Sequence, residues 1–229
     1  MGWSRGRLTR FLRVFLLLVL LISLGLPSAS HSPDPFRVQA LAPVEVLARG
    51  FRAPTGVVVE PGGTVVVSDR RAGAVFRVSA GHIERLVRGL KHPVGVGLDS
   101  DHRLLIVEEK TGRLLRLEAG GRLTVLAQGM RRPRWLTVVD GTIYLSARGL
   151  KPMKDRHRDE DEGDEDDEDD AIGEVILRLT AAGDLSVWAG GFRGLEGLAG
   201  QEGVLWAAAR GRQHGAGDQG GIFQITVRA

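Results

Sequence analysis

The 229-residue sequence contains no cysteine, no asparagine and only one tyrosine. Without cysteine the chain forms no disulfide, has no thiolate nucleophile and binds no zinc through sulfur. The sequence also lacks a phosphate-cradling glycine motif, an HExxH motif and a recognisable Ser-His-Asp constellation. These absences exclude several common enzyme classes, but they leave binding and other kinds of catalysis open.

Long apolar runs are confined to the amino terminus. The stretch from Val14 to Leu26 is almost entirely apolar, follows a segment with four arginines and precedes the small residues of PSAS. This pattern predicts an export signal over residues 1–30, cleaved after Ser30, because a membrane span needs about 20 apolar residues. The alternative is an uncleaved membrane anchor. Either predicts an exported protein, periplasmic or secreted, with residues 31–43 as a linker.

Charge is unevenly distributed along the rest of the chain. Removing the four arginines of the predicted signal from the 31 basic residues leaves 27, against 28 acidic ones. Residues 155–170 hold twelve of these acids, so the remaining chain is distinctly basic. A run of like charge has nothing apolar to bury, and we therefore predict a disordered acidic loop over 151–172. A nucleic-acid partner is not expected, since the basic residues are not interleaved with aromatic ones.

The chain repeats a motif four times. The segments LARGFRAP, LVRGLKHP, LAQGMRRP and WAGGFRGL centre on Gly50, Gly89, Gly129 and Gly191. The first two intervals are 39 and 40 residues, and the third is longer by about the length of the acidic segment. Each unit contains four short runs rich in valine, isoleucine and leucine, separated by glycine, proline and aspartate. Four strands in about 40 residues are typical of a β-propeller blade.

The two ends of the repeat region predict how the propeller closes. A run at 44–49 matches the fourth strand of the other units, and the last unit stops after its third strand. We therefore predict an all-β fold over 44–229, a β-propeller of four four-stranded blades. The amino-terminal strand would pair with the last blade and close the ring, hiding two open edges.

The repeats also support a family resemblance. PTGVVVEPGGTVVVSDRRAGAVFRVSAG and PVGVGLDSDHRLLIVEEKTGRLLRLEAGG resemble the blades of NHL-repeat proteins and of the senescence-marker/gluconolactonase and streptogramin-lyase propellers. The resemblance covers residues 44–228 and implies the architecture more strongly than an activity. Rings of these families usually have six blades, whereas this sequence has four units.

Basic residues are predicted to gather at one end of the propeller. In an antiparallel meander, the loop between the second and third strands shares an end with the connection to the next blade. This rule defines a set of candidate ligand-binding residues: Arg52, Arg70, Arg71, Lys91, Arg131, Arg132, Arg134, Trp135, Arg193 and Arg210. The expected partner is an anionic small molecule, polymer or protein surface, and the acidic loop is either a counter-charge for this face or a solubilising spacer. We expect a monomer that meets membrane only through its amino-terminal segment.

Carboxylates near the same end offer a second interpretation. The resemblance to gluconolactonases implies a divalent cation such as calcium, and Asp69, Glu108 and Glu196 are the candidate metal ligands. The absence of asparagine is a departure from that family's metal site. The alternative is that Asp69 and Glu108 form turn hydrogen bonds or pair with neighbouring cations.

Catalytic candidates are fewer still. The resemblance to streptogramin lyases implies a histidine base, for which His214 with Asp218 and Glu196 are the candidates. The main prediction is a non-catalytic binding module without a cofactor. The alternative is a metal-dependent lactonase or a streptogramin-lyase-like enzyme.

Overall fold

The computed structural model describes residues 46–151, 173–212 and 220–227, with the backbone alone at Arg212. These residues form an all-β fold with no α-helix and a single 3-10 turn at 119–121. None of the helical structure in the described ranges is long and apolar enough to span a membrane. The predicted signal, the linker, the acidic loop apart from Lys151, and the pair His214 and Asp218 lie outside the described residues.

The strands follow the repeats closely. Runs of β-branched residues, such as the valines at 57–59 and 65–67, favour the extended backbone. The sixteen strands of the described ranges are β1 (Pro54–Val59), β2 (Val65–Asp69), β3 (Ala74–Ser79), β4 (His82–Arg88), β5 (Pro93–Leu98), β6 (Leu104–Glu108), β7 (Arg113–Leu117), β8 (Leu123–Ala127), β9 (Met130–Arg131), β10 (Leu136–Val139), β11 (Thr142–Ala147), β12 (Gly149–Leu150), β13 (Glu174–Leu179), β14 (Leu185–Gln201), β15 (Val204–Arg212) and β16 (Gly221–Thr226).

The first two units form the predicted four-stranded antiparallel sheets. Strands β1 to β4 make one sheet and β5 to β8 make another, each in sequence order. Strand β9, in the connection to the third unit, pairs with β12, in the loop after β11, to form a short two-stranded ribbon. The prediction of separate four-stranded blades is therefore confirmed for these two units.

The third and fourth units depart from that prediction, because one strand serves both. Strand β14 is 17 residues long, and its first part pairs with β13 while its second part pairs with β15. Together β10, β11, β13, β14, β15 and β16 form a single six-stranded sheet. The segment WAGGFRGL was expected to separate two strands, as its counterparts do in the other units. Instead the strand passes through it, with a register irregularity nearby.

Three apolar cores lie between successive units. One joins the first and second units around Val66, Val75, Ile106 and Leu115. The next joins the second and third around Leu105 and Leu145, and the last joins the third and fourth around Tyr144 and Leu205. Each core forms where the faces of two successive units pack together, as the blades of a propeller do.

The predicted closing strand is not formed in the described residues. Residues 46–50 are not in a strand, and β16 has β15 as its only hydrogen-bonded neighbour in the described sheet. Side chains in and next to this segment instead contact their own unit. Phe51 contacts Phe76 of β3 with ring centroids 5.7 Å apart, and Leu47 lines a pocket together with Val78.

Candidate ligand-binding face

Backbone hydrogen bonds bring two kinds of connection together at one end of each sheet. The amide of Leu90 donates to the carbonyl of Gly73 at 3.0 Å, and the amide of Met130 donates to that of Gly112 at 3.2 Å. Each bond links the loop after a unit's second strand to the connection that follows that unit's fourth strand. We call this surface the loop end. It comprises residues 50–53, 70–73, 89–92, 109–112, 128–135, 148–151 and 190–194.

Asp69 organises the first part of the loop end. It lies at the end of β2, is almost fully buried, and accepts backbone hydrogen bonds from Arg52 at 2.6 Å and from Ala53 and Ala72 at 3.0 and 2.9 Å. These bonds hold the connection that precedes β1 against the loop that follows β2. Burial raises the pKa of Asp69, but the backbone N–H groups outweigh burial and leave that pKa below its usual value.

Glu108 holds the equivalent loops together in the second unit. Its carboxylate is buried and accepts from the Lys91 amide at 2.7 Å, the Thr111 hydroxyl at 2.6 Å and the Arg113 guanidinium at 2.6 Å. Burial raises the pKa of Glu108, yet the hydroxyl, the amide and the guanidinium together lower it below the ordinary value. Asp69 and Glu108 therefore make turn hydrogen bonds, which is the structural alternative to their role as metal ligands.

The third candidate metal ligand, Glu196, is exposed and paired with Arg210. Glu196 holds the pKa of the Arg210 guanidinium above the ordinary value, through the hydrogen bond and the negative charge. Across the described residues there is no cluster of three or more histidine, aspartate and glutamate side chains that could hold a metal ion. The three carboxylates proposed from the sequence are thus not brought together into one cluster.

A cation recurs at the same position of every unit. It is the second residue of the segments FRAP, LKHP, MRRP and FRGL, which lead into the first strand of each unit. The four equivalent cations are Arg52, Lys91, Arg131 and Arg193. Asp69 and Glu108 fix the backbone of the first two, so their side chains project from anchored positions. This fourfold repetition is visible in the aligned motifs, and it gives the loop end a regular positive character.

The other predicted ligand-binding residues differ in their surroundings. Arg70 pairs with Glu109 at 2.8 Å, whereas Arg71 and Arg132 are exposed and have no carboxylate partner among the ion pairs of the described residues. Arg134 lies over the ring of Trp135, with its guanidinium carbon 5.7 Å from the ring centroid. The indole N–H of Trp135 is buried without a hydrogen-bond partner within the described ranges. Trp135 is therefore partly occupied by its neighbour, which reduces its availability for stacking on a ligand.

Acidic side chains at the opposite end of the sheets are largely neutralised. Glu60 binds Arg77 at 2.8 Å, and Asp99 binds Arg103 at 2.9 Å. Glu118 binds Arg116 at 2.8 Å. A pocket of about 270 Å³ lies at this end, in the first unit, and is lined by Leu47 and by the turns around Gly62 and Gly81. Its lining carries no charged side chain, so it offers no obvious acid–base chemistry.

Sequence reasoning missed two buried serines. Ser68 accepts from the Gly56 amide at 2.9 Å and donates to the Val94 carbonyl at 2.6 Å, linking two units. Ser146, at the equivalent position of the third unit, accepts from the Trp135 amide at 3.0 Å. The signal was a serine just before the end of a predicted second strand in both units.

The sequence matches no family model and no curated protein. Solved structures do resemble the fold. A gluconolactonase from Xanthomonas campestris is 20% identical, with a TM-score of 0.57 over 77% of this chain and 59% of that one. A nidogen/laminin complex matches at 19% identity, with a TM-score of 0.53 over 69% of this chain and 57% of that one. A streptogramin B lyase matches at 16% identity and a TM-score of 0.49 over 77% and 55%.

The resemblance to the gluconolactonase propellers is confirmed at the level of fold. The chain has the fold of the gluconolactonase-like β-propellers. It spans less than two thirds of the length of each of the three structures above. At these identities the comparisons establish architecture only, because one fold hosts many functions.

Proposed function

We propose that the protein is a propeller-like recognition domain that binds an anionic ligand at the loop end. The observation that carries this proposal is the cation repeated in all four units, at Arg52, Lys91, Arg131 and Arg193. Four equivalent cations on one end of a fold create a positive surface that attracts anionic groups over a distance of roughly 8 Å in physiological salt.

The anchoring of these cations supports the proposal further. Asp69 and Glu108 hold the backbone amides of Arg52 and Lys91, so ordering their loops costs little entropy when a ligand binds. The carboxylates are themselves buried, which leaves the exposed surface to the cationic side chains. The proposal includes export through residues 1–30 and a ligand that is an anionic small molecule, polymer or protein surface.

The test measures salt-dependent retention on a heparin resin. Replacing Arg52 or Lys91 with alanine should lower the salt concentration that elutes the protein. The matched control is Arg122→Ala, an exposed arginine in a turn at the opposite end of the second unit. Equal elution of all three variants and the wild type would refute binding through the loop end.

A second function, an enzyme of the lactonase or lyase kind, is favoured by the comparisons. The Xanthomonas campestris structure is that of a gluconolactonase, and its TM-score of 0.57 is the highest of the three structures reported above. In this case the loop end would bind an anionic or polar substrate for turnover, and a divalent cation would be required. Glu196 is the exposed candidate ligand among the described residues, and His214 with Asp218 is the candidate base and its partner.

The two functions differ in measurable ways. Incubation with gluconolactone and other lactones, with and without added Ca²⁺, should give turnover only if the enzymatic function is correct. Glu196→Gln and His214→Ala should then abolish turnover. Metal-independent heparin retention without turnover supports the recognition function instead.

A further inference from the structure

Each unit of the fold has two broad faces. The leading face packs on the preceding unit, and the trailing face packs on the following one. In the second unit the leading face carries Val96 and Ile106, which pack on Val66 and Val75 of the first unit's trailing face. The same arrangement recurs between the second and third and between the third and fourth units. At each of these three junctions, a leading face meets a trailing face.

The leading face of the first unit is open. Val57 occupies the position of Val96 in the repeat, yet 65% of Val57 is exposed compared with 7% of Val96. Val59, two residues further along the same strand, is 57% exposed. Phe51 and Leu47 cover other parts of this face, at Phe76 and beside Val78, and leave the valines of β1 uncovered. The first unit thus carries an apolar face of the kind that the second unit buries.

The trailing face of the fourth unit is open as well. Trp206 occupies the position that holds Val66, Leu105 and Tyr144 in the other units, all of which are essentially fully buried. Trp206 is only half-buried. On the same face, Ile222 lies opposite Ala208 and is 72% exposed.

We propose that two copies of this chain stack head to tail, with the open leading face of each on the open trailing face of the other. At all three internal junctions a leading face packs on an apolar trailing face. The open trailing face of this chain is apolar in the same way, so the occupant we propose is a second copy. The chain's own trailing face does not fill that role, since Val57 and Ile222 are both exposed. A reciprocal pair of such contacts closes the assembly and removes both open faces. This proposal replaces the expectation of a monomer.

The absence of cysteine makes the test clean, since only introduced thiols will react. Full-length Val57→Cys protein is mixed with full-length Ile222→Cys protein and treated with a flexible bis-maleimide. A covalent dimer should form in the mixture, but not with either variant alone. The control is Val125→Cys, which places a thiol on an exposed valine of β8 in the second unit, a unit that carries neither open face.

Each other outcome overturns the proposal. A Val57→Cys/Ile222→Cys double variant bridged within one chain would show that the ring closes on itself. Dimers of Val57→Cys alone would show a symmetric contact between leading faces. No product at all would show that another segment covers these faces or that they stay open.

A second measurement guards against misfolded variants. Sedimentation should show that Val57→Asp and Ile222→Asp each weaken dimerisation roughly tenfold or more, while Val125→Asp does not. Mixing Val57→Asp with Ile222→Asp should restore a dimer, because one intact leading face then meets one intact trailing face. Failure of the mixture to recover, with both variants folded by circular dichroism, would overturn the head-to-tail arrangement.

Discussion

The hydroxyl of Ser68 donates a hydrogen bond to the carbonyl of Val94 across the junction of the first and second units, at 2.6 Å. It also accepts from the amide of Gly56 at 2.9 Å, and the serine is fully buried. Ser68→Ala would leave a buried amide and a buried carbonyl without this partner. We expect the free energy of unfolding to fall by about 1–3 kcal/mol.

Chemical denaturation of Ser68→Ala measures this loss. Ser79→Ala is the control, because Ser79 is exposed at the end of β3. Its free energy of unfolding should stay within about 0.5 kcal/mol of the wild type. Equal stability of the two variants would mean that the junction does not depend on the serine.

Strands β1 and β5 approach each other so closely at Gly56 that there is no room for a side chain. A Cβ on Gly56 would overlap the carbonyl oxygen of Val94, and this backbone cannot move away easily. Gly56→Ala should destabilise the fold by about 3 kcal/mol or more. In contrast, a Cβ on Gly197 of β14 meets nothing within 4 Å, so Gly197→Ala should be close to neutral in a thermal melt. A neutral Gly56→Ala would contradict the close packing of β1 on β5.

Acid should destabilise the fold through Asp69 and Glu108. Both have folded-state pKa values below the ordinary 3.8 and 4.5, so both contribute stability when ionised. That contribution is complete above the ordinary values and is lost as the pH falls through the lowered folded-state values. Unfolding free energies measured from neutral pH down to about pH 3 should therefore decline below about pH 4.5. In Glu108→Gln the decline should be shallower, and an unchanged slope would rule out Glu108 as a contributor.

Deleting the acidic run at 155–170 tests its relation to the loop end. If the run competes for the cations, the deletion variant should bind a heparin resin more tightly, and the difference should shrink as salt is added. A control that replaces the same 16 residues with glycine and serine keeps the length and removes the charge. Unchanged elution of both variants would leave the run as a spacer.

Much of this fold could be predicted from the sequence because the repeat fixes both strand pattern and turns. The Gly-x-x-x-Pro signal of the first three repeats, which becomes Gly-x-x-x-Leu in the fourth, locates the first strand of each unit, and the valine runs locate the others. The fused strand β14 was missed because three glycines at 190, 191 and 194 are typical of a turn. Whether the ring closes could not be predicted from the sequence, because closure depends on the curvature summed over all units, which no local pattern encodes.

The candidate site was predictable in composition and not in arrangement. Basic residues of the loop end follow from antiparallel topology alone. The sequence could not decide whether Asp69 and Glu108 face a ligand or the backbone, since a carboxylate at the end of a strand suits both. They accept hydrogen bonds from the backbone amides of Arg52 and Lys91 because the loops that carry these residues pack beside them in the folded chain.

Strand β14 couples the unfolding of the last two repeats. Because its backbone ladder is continuous from β13 to β15, the fourth repeat cannot peel away without breaking the outer edge of the third. Amide protons of Ile176 and Ala207 should therefore exchange with solvent at similar rates. The exchange rates of amide protons in the first sheet should be independent of these two. A repeat should accordingly be easier to add or remove at the amino-terminal side, where each repeat is a separate sheet.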